Sequence, residues 1–188
     1  MLLSICIVNL NAKIYLSKCL SSIPNSVITQ DYEIIIVDNN SSDDSCSYIK
    51  NLKNKKIRLI KNFYNSGYTK AINQAIKKSK GENILILNPD SILEQKSIDT
   101  LLSFLKNNDK VGIVGPKVID ELGSFQASCR RGIATPLAVF FYFFGLAKLF
   151  KENKFFTGYQ LNHLDENYIN QVDGVSGSCM VVKREVVE

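Results

Sequence analysis

The chain has 188 residues, 45% of them apolar and 22% charged. This is enough for a substantial core and excludes a disordered or fibrous protein. The net charge of +5 is modest, and its densest run (Lys50, Lys53, Lys55, Lys56, Arg58, Lys61) lacks interleaved aromatics. It is therefore read as a solvated face and not as a nucleic-acid patch. The five cysteines form neither a CxxC pair nor a metal-ligand spacing, so reduced, buried thiols in a cytoplasmic protein are expected.

Leu3 to Val8 is an apolar run that ends in Asn9-Leu10-Asn11. Ile34 to Val37 is a second, ending in Asp38-Asn39-Asn40, and Ile84 to Leu87 a third, ending in Asn88-Pro89-Asp90. Unbroken apolar runs without alternation predict parallel strands buried on both faces. A weaker strand is predicted over Ile57 to Ile60. The N-terminal stretch MLLSICIVNL lacks the charged start of a signal peptide.

Helical stripes alternate with these runs. Leu16, Cys19, Leu20 and Ile23 share one helix face, as do Ala71, Ile72, Ala75 and Ile76, and then Ile98, Leu101, Leu102 and Leu105. Ser41 or Ser42 followed by Asp43 and Asp44 predicts a helix start with acids in its first turn. Gly81 is read as a helix stop. Alternating strands and helices imply an α/β fold, a mostly parallel, right-handed sheet covered by helices on both faces. Ligands of such sheets bind beyond the carboxyl ends of the strands, which is where Asn9, Asp38 and Asp90 fall.

Beyond residue 110 the pattern changes. VGIVGPKVI predicts a strand, and GSFQASCRRG an extended polar stretch. PLAVFFYFFGLAKLF opens at Pro136 and closes at Phe150. As a helix it covers only ~20 Å, short of the roughly 30 Å of a bilayer core. With Lys148, Lys151 and Lys154 at its end, two readings fit: a helix lying in the membrane interface, or a core or dimer-contact helix. VDGVSGSCMVV follows, and KREVVE reads as the first turn of a helix.

No GxGxxG follows the first strand and no GxxxxGK[ST] is present, which counts against dinucleotide and P-loop folds. SICIVNLNAK, EIIIVDNNSSDDS and NFYNSGYTKAINQAIKKSKGENILILNPDSIL, taken in order, resemble the successive signatures of family 2 glycosyltransferases of the GT-A fold. VDGVSGSCMVVKREV resembles that family's later acceptor-side segment. The Asn-Pro-Asp turn is most similar to the rhamnosyltransferase-like branch, which builds bacterial cell-surface polysaccharide.

The resemblance implies inverting transfer of a sugar from a nucleoside diphosphate, dTDP-rhamnose or a UDP-sugar, to a saccharide or lipid-linked acceptor. It implies Mg2+ or Mn2+ held by Asp90, with Asn88 standing where the family's DxD motif has its first acid. Val8 and Leu10 would line the base pocket, with Leu10 where the family often has Tyr, and Asn9 between them would be a substrate-binding residue. Asp38 would accept from the base N–H, with Asn40 beside it. Asn65, Gly67 and Asn73 would approach the nucleotide, and Ser176 and Gly177 the donor sugar or acceptor. Arg130 and Arg131 either meet the diphosphate or are exposed solubilising residues, and His163 is read as a surface residue. Residues 1–110 would form the nucleotide-sugar-binding half and 111–188 the start of the acceptor-side half. The family's catalytic base is expected in an acidic motif beyond Glu188, so this chain is expected to bind donor and to transfer poorly. A non-catalytic nucleotide-sugar-binding module or a split-enzyme subunit is the alternative.

Overall fold

Alternate residues of the first strand enter different cores. The computed structural model describes residues 2–29, 31–150 and 152–188, with the backbone alone at Lys148. In β1 (Leu2–Asn9), Leu3, Ile5 and Ile7 pack in one hydrophobic layer while Cys6 and Val8 pack in the other. Continuous apolar character is what burial on both faces requires.

Two compact units divide the chain: Met1–Val114 with Gly177–Glu188, and Gly115–Ser176. In the first, β1, β2 (Asp31–Asp38), β3 (Ile57–Lys61) and β4 (Asn83–Leu87) run parallel. Two further strands extend the sheet, β5 (Ile113–Val114) and β8 (Cys179–Lys183), in the order β3-β2-β1-β4-β8-β5; β8 runs antiparallel to both its neighbours, so β5 points the same way as β1–β4. Strand order reverses between β1 and β4, the kind of switch point at which open α/β sheets bind ligands.

The helices α1 (Lys13–Ser26) and α4 (Ser97–Asn107) bury the predicted stripes Leu16, Cys19, Leu20, Ile23 and Ile98, Leu101, Leu102, Leu105 against one face. Helix α3 (Tyr68–Lys78) puts Ala71, Ile72 and Ala75 on the other. Helix α2 (Ser45–Asn51) begins later than expected, because Asp43 turns its carboxylate onto the Ser45 N–H at 3.0 Å and stays outside the helix. Gly81 is no helix stop. A β-carbon there would lie 2.5 Å from the Ser4 nitrogen, so glycine lets the chain pass against β1.

In the second unit β6 (Arg130–Arg131) pairs antiparallel with β7 (Gly174–Val175). The strand predicted from VGIVGPKVI shrinks to Ile113–Val114. The single helix expected over 136–150 is two, α5 (Pro136–Phe143) and α6 (Leu146–Leu149), broken at Gly145 with φ 75°. Thr135 caps α5, its hydroxyl accepting from the Ala138 N–H at 3.2 Å. Phe141 is buried against Phe155 and Phe156, the latter on α7 (Lys154–Thr157) as well, while Phe143, Phe144 and Leu149 stay exposed. Lys151 lies outside the described residues. KREVVE forms a 3-10 turn at Arg184–Val186. Among the described residues no helix is long and apolar enough to cross a membrane.

Candidate functional site

The carboxyl ends of β1 and β2 are joined by one polar network. Asn9 and Asp38 are register partners and both are fully buried. Asp38 Oδ2 accepts from Asn9 Nδ2 at 2.9 Å and from Ser41 Oγ at 2.6 Å, and Oδ1 accepts from the Ser41 N–H at 2.9 Å. Burial pushes this carboxyl up, but the hydrogen bonds from Ser41, Asn9 and Cys46 outweigh it and hold the group below its ordinary value. The carboxylate faces the protein's own donors. Asn9 Oδ1, by contrast, is buried with no donor among the described residues, an acceptor left over at the sheet edge.

The turns beyond these strands are stitched together. Asn11, at φ 51°, accepts through its side chain from the Ser42 N–H at 2.7 Å, and its own N–H donates to Ser41 Oγ at 2.9 Å. Asn40 is exposed at φ 71°; asparagine tolerates this left-handed region better than most residues. Val8 is buried and offers mainly backbone, whereas Leu10 is 43% exposed and presents apolar surface.

After β3 the chain crosses to α3 through residues 62–67. Gly67 has φ 82° and ψ 159°, a combination close to glycine-only. Asn65 Oδ1 accepts from the Gly67 N–H at 2.9 Å. Asn73 is exposed on α3. The Tyr68 hydroxyl donates to the Gly177 carbonyl at 3.5 Å, so the start of α3 and the lead into β8 meet at this edge.

Asn88, Pro89 and Asp90 follow β4. The Asn88 N–H and the Ser91 hydroxyl both donate to the Ser178 carbonyl, at 2.8 and 3.2 Å. The turn is therefore gripped on both sides of the acid by the residue that leads into β8. Asp90 is exposed and makes no hydrogen bond or ion pair among the described residues. Asn9, Leu10, Asp38, Asn40, Asn65, Gly67, Asn88, Asp90 and Gly177 thus share the carboxyl edge of one sheet. Ser176 belongs to the second unit, where its N–H donates to the Cys129 carbonyl at 2.9 Å.

Two other residues of the second unit depart from the sequence reading. Arg130 is not an exposed solubilising residue: it is 8% exposed, lies 4.9 Å from the Phe125 ring centre and donates to the Leu164 carbonyl. His163 is half-buried, with Nδ1 2.7 Å from the Thr157 hydroxyl, because the 153–163 segment folds back on itself. Sequence reading also passed over Asn11, Asn39, Ser41, Asn62 and Ser66. The signal for three of them was the polar tails NLN and DNNS; Asn62 and Ser66 carried none.

The profile of Glycosyl transferase family 2 matches residues 4–188, nearly the whole chain. The chain belongs to glycosyl transferase family 2. The poly(ribitol-phosphate) beta-glucosyltransferase of Bacillus spizizenii is 36% identical over 57% of this chain and 18% of its own length. The GalNAc(5)-diNAcBac-PP-undecaprenol beta-1,3-glucosyltransferase of Campylobacter jejuni is 30% identical over 66% of this chain and 40% of its own. The structure of the mannosyltransferase PcManGT from Pyrobaculum calidifontis, with GDP-Man and Mn2+, superposes with a TM-score of 0.57 at 19% identity, over 63% of this chain and 35% of that one. This chain therefore spans less than half the length of each, and the structural likeness establishes the GT-A-like fold.

Members of this family commonly use a divalent metal, and the residues here fit one in a specific way. No group of three or more His, Cys, Asp or Glu side chains is gathered among the described residues, so no protein-only cage exists there. A single unpartnered carboxylate on a braced turn suits Mg2+ or Mn2+, which take one or two carboxylates and complete their shell with phosphates and water.

Proposed function

We propose that this domain binds a nucleoside-diphosphate sugar and serves an inverting glycosyltransferase acting on a cell-surface polysaccharide or a lipid-linked acceptor. The observation that carries the reading is Asp90: an unpartnered, exposed acid on a turn braced by Ser178, at the switch point of the sheet. An unpaired carboxylate held so firmly is suited to a cation that arrives with its ligand. Bound there, the metal supplies neutralisation of charge on the leaving diphosphate.

The remaining candidates take roles around it. The Val8 backbone and Leu10 side chain border the base, and Asn9 Oδ1, unpartnered among the described residues but buried, meets a base N–H only if the Asn11 and Ser41 turns beside it open. For Asp38 to accept from the base, Ser41 Oγ must rotate away and release a lone pair. Asn40, Asn65, Gly67 and Asn73 line the nucleotide side, Asn88 hydrogen-bonds ribose or sugar, and Ser176 and Gly177 lie toward the sugar or acceptor. The base that takes the acceptor proton is assigned to none of these. The named relatives, one acting on poly(ribitol-phosphate) and one on an undecaprenol-linked saccharide, support the acceptor class. A cytoplasmic site is proposed with it, in keeping with five cysteines that form no disulfide among the described residues. The exposed apolar segment 136–150 suits peripheral contact with the inner membrane face, or a homodimer through the same helices; vesicle sedimentation and light scattering separate the two.

The test is thermal shift and calorimetry with UDP-glucose, UDP-N-acetylglucosamine and dTDP-rhamnose, with and without Mn2+. A donor at 100 times its Kd should add about 2.7 kcal/mol of stability. No shift with any donor in the presence of Mn2+ would refute the reading.

A further inference from the structure

One buried side chain at this edge has no part in the roles above. Asn39, the residue after β2, is 2% exposed. Its amide oxygen accepts from Asn62 Nδ2 at 2.9 Å, Ser66 Oγ at 3.1 Å and the Ser66 N–H at 3.4 Å. Its amide nitrogen donates to the Gly67 carbonyl at 3.3 Å. Its own N–H donates to the Asn9 carbonyl at 2.9 Å. One side chain thus fastens both ends of the 62–67 loop to the ends of β1 and β2.

The loop has little else to hold it. None of its six residues is buried, and Phe63 and Tyr64 are 96% and 67% exposed. Hydrophobic burial therefore contributes almost nothing to its order, and hydrogen bonds must supply it. The Asn62 N–H donates to the Asp38 carbonyl at 2.9 Å where the loop begins. At the far end, among the described residues, the Gly67 carbonyl receives only the Ala71 N–H, at 3.2 Å, and Asn39. An amide is the side chain this position needs, since it accepts at one end and donates at the other. A carboxylate keeps the contacts to Asn62 and Ser66 but sets negative charge against the Gly67 carbonyl; alanine loses all of them.

We propose that Asn39 is a positioning residue for donor binding. It does not touch the nucleotide, and acts by holding Asn65 and Gly67 where the nucleotide-sugar reading of this site requires them. The proposal rests on that reading.

The experiment compares wild type, Asn39→Ala, Asn39→Asp, Ser66→Ala and the double variant Asn39→Ala/Ser66→Ala. Affinity is measured by calorimetry for UDP-glucose, UDP-N-acetylglucosamine and dTDP-rhamnose with Mn2+, and amide exchange is followed across the chain. Asn39→Ala should weaken the donor that binds wild type about tenfold and speed exchange in 62–67 selectively. Asn39→Asp should recover part of both losses, and the double variant should bind no worse than Asn39→Ala, because both changes release one loop. Ser66→Ala keeps the test open should Asn39→Ala fail to fold: it should weaken binding by a smaller factor and loosen the same loop. Unchanged affinity in folded variants, or fully additive losses, would overturn the proposal. A wild-type chain that binds none of the three donors would refute the site reading itself. Faster exchange in Asn39→Ala would then leave a purely structural tie.

Discussion

Ser41 closes both oxygens of Asp38, its hydroxyl donating to Oδ2 at 2.6 Å and its N–H to Oδ1 at 2.9 Å. A buried carboxylate so fully bonded is stable only while it is charged. Its folded pKa lies below the ordinary carboxylate value, so its contribution is complete above the unfolded value of ~3.9 and is lost as pH falls through the folded one. Asp38→Asn should therefore lower stability at neutral pH by about 2–4 kcal/mol. The gap in Tm from wild type should narrow as pH drops from 5 toward 2. Asp31 and Asp43, whose carboxyls are also held low, are present in both proteins and cancel in the difference. A gap that stays constant with pH would contradict the account.

The two glycines nearest this edge and its opposite should fail for different reasons. At Gly67 a β-carbon would meet nothing within 4 Å, yet φ is 82°, so Gly67→Ala costs backbone strain alone, about 1–3 kcal/mol. At Gly81 a β-carbon would lie 2.5 Å from the Ser4 nitrogen and 2.7 Å from the Leu2 carbonyl oxygen. Gly81→Ala must therefore displace β1 and should cost up to about 3 kcal/mol. Denaturant unfolding of the two variants measures both. Asparagine tolerates positive φ only in the left-handed helical region, and with ψ at 159° Gly67 lies outside it, so asparagine should rescue neither position.

The parts of this fold that could be read from sequence are those whose signal is local. Ile5, Ile35 and Leu85 sit in apolar runs because both faces of their strands are covered, and the α1, α3 and α4 stripes repeat at helical spacing. The antiparallel β8, inserted beside β4, could not be placed, because its partner lies about 95 positions earlier and no local pattern encodes the pairing. The break at Gly145 was hidden by apolar residues on either side. At the site, Asp38 and Asp90 were legible as strand-end acids, but Asp38's closure by Ser41 was not, since hydroxyl direction is a tertiary property. The ties from Asn39 to Asn62 and Ser66 span 23 and 27 positions and emerge only when β2 and β3 lie side by side.

Burial should make the thiols other than the half-buried Cys46 inert. Cys6, Cys19 and Cys179 are each pushed up to about 12, by burial foremost, and Cys46 is raised by burial and by its bond to Asp38. The thiolate is the reactive form. At pH 8 the folded chain should react with Ellman's reagent over hours, and all five cysteines within seconds in guanidinium. Two or more thiols reacting in seconds without denaturant would show that these side chains are not enclosed.

The Asn-Pro-Asp turn offers a paired test of metal chemistry. Asp90 is exposed and unpartnered among the described residues, so Asp90→Ala should leave stability within about 0.5 kcal/mol while abolishing the Mn2+ dependence of donor binding. Asn88 is fixed through its main chain: its N–H donates to Ser178, and its carbonyl accepts from the Ser91 N–H at 3.2 Å and the Cys19 thiol at 3.7 Å. Asn88→Asp should therefore keep the turn and add a second carboxylate beside the first. A lone acid needs the donor's phosphates to complete a cation's shell, whereas two acids bind it more strongly unaided. Asn88→Asp should thus show Mn2+ binding by calorimetry before any nucleotide is added, where wild type shows little. Equal Mn2+ affinity in wild type, Asn88→Asp and Asp90→Ala would place the cation elsewhere.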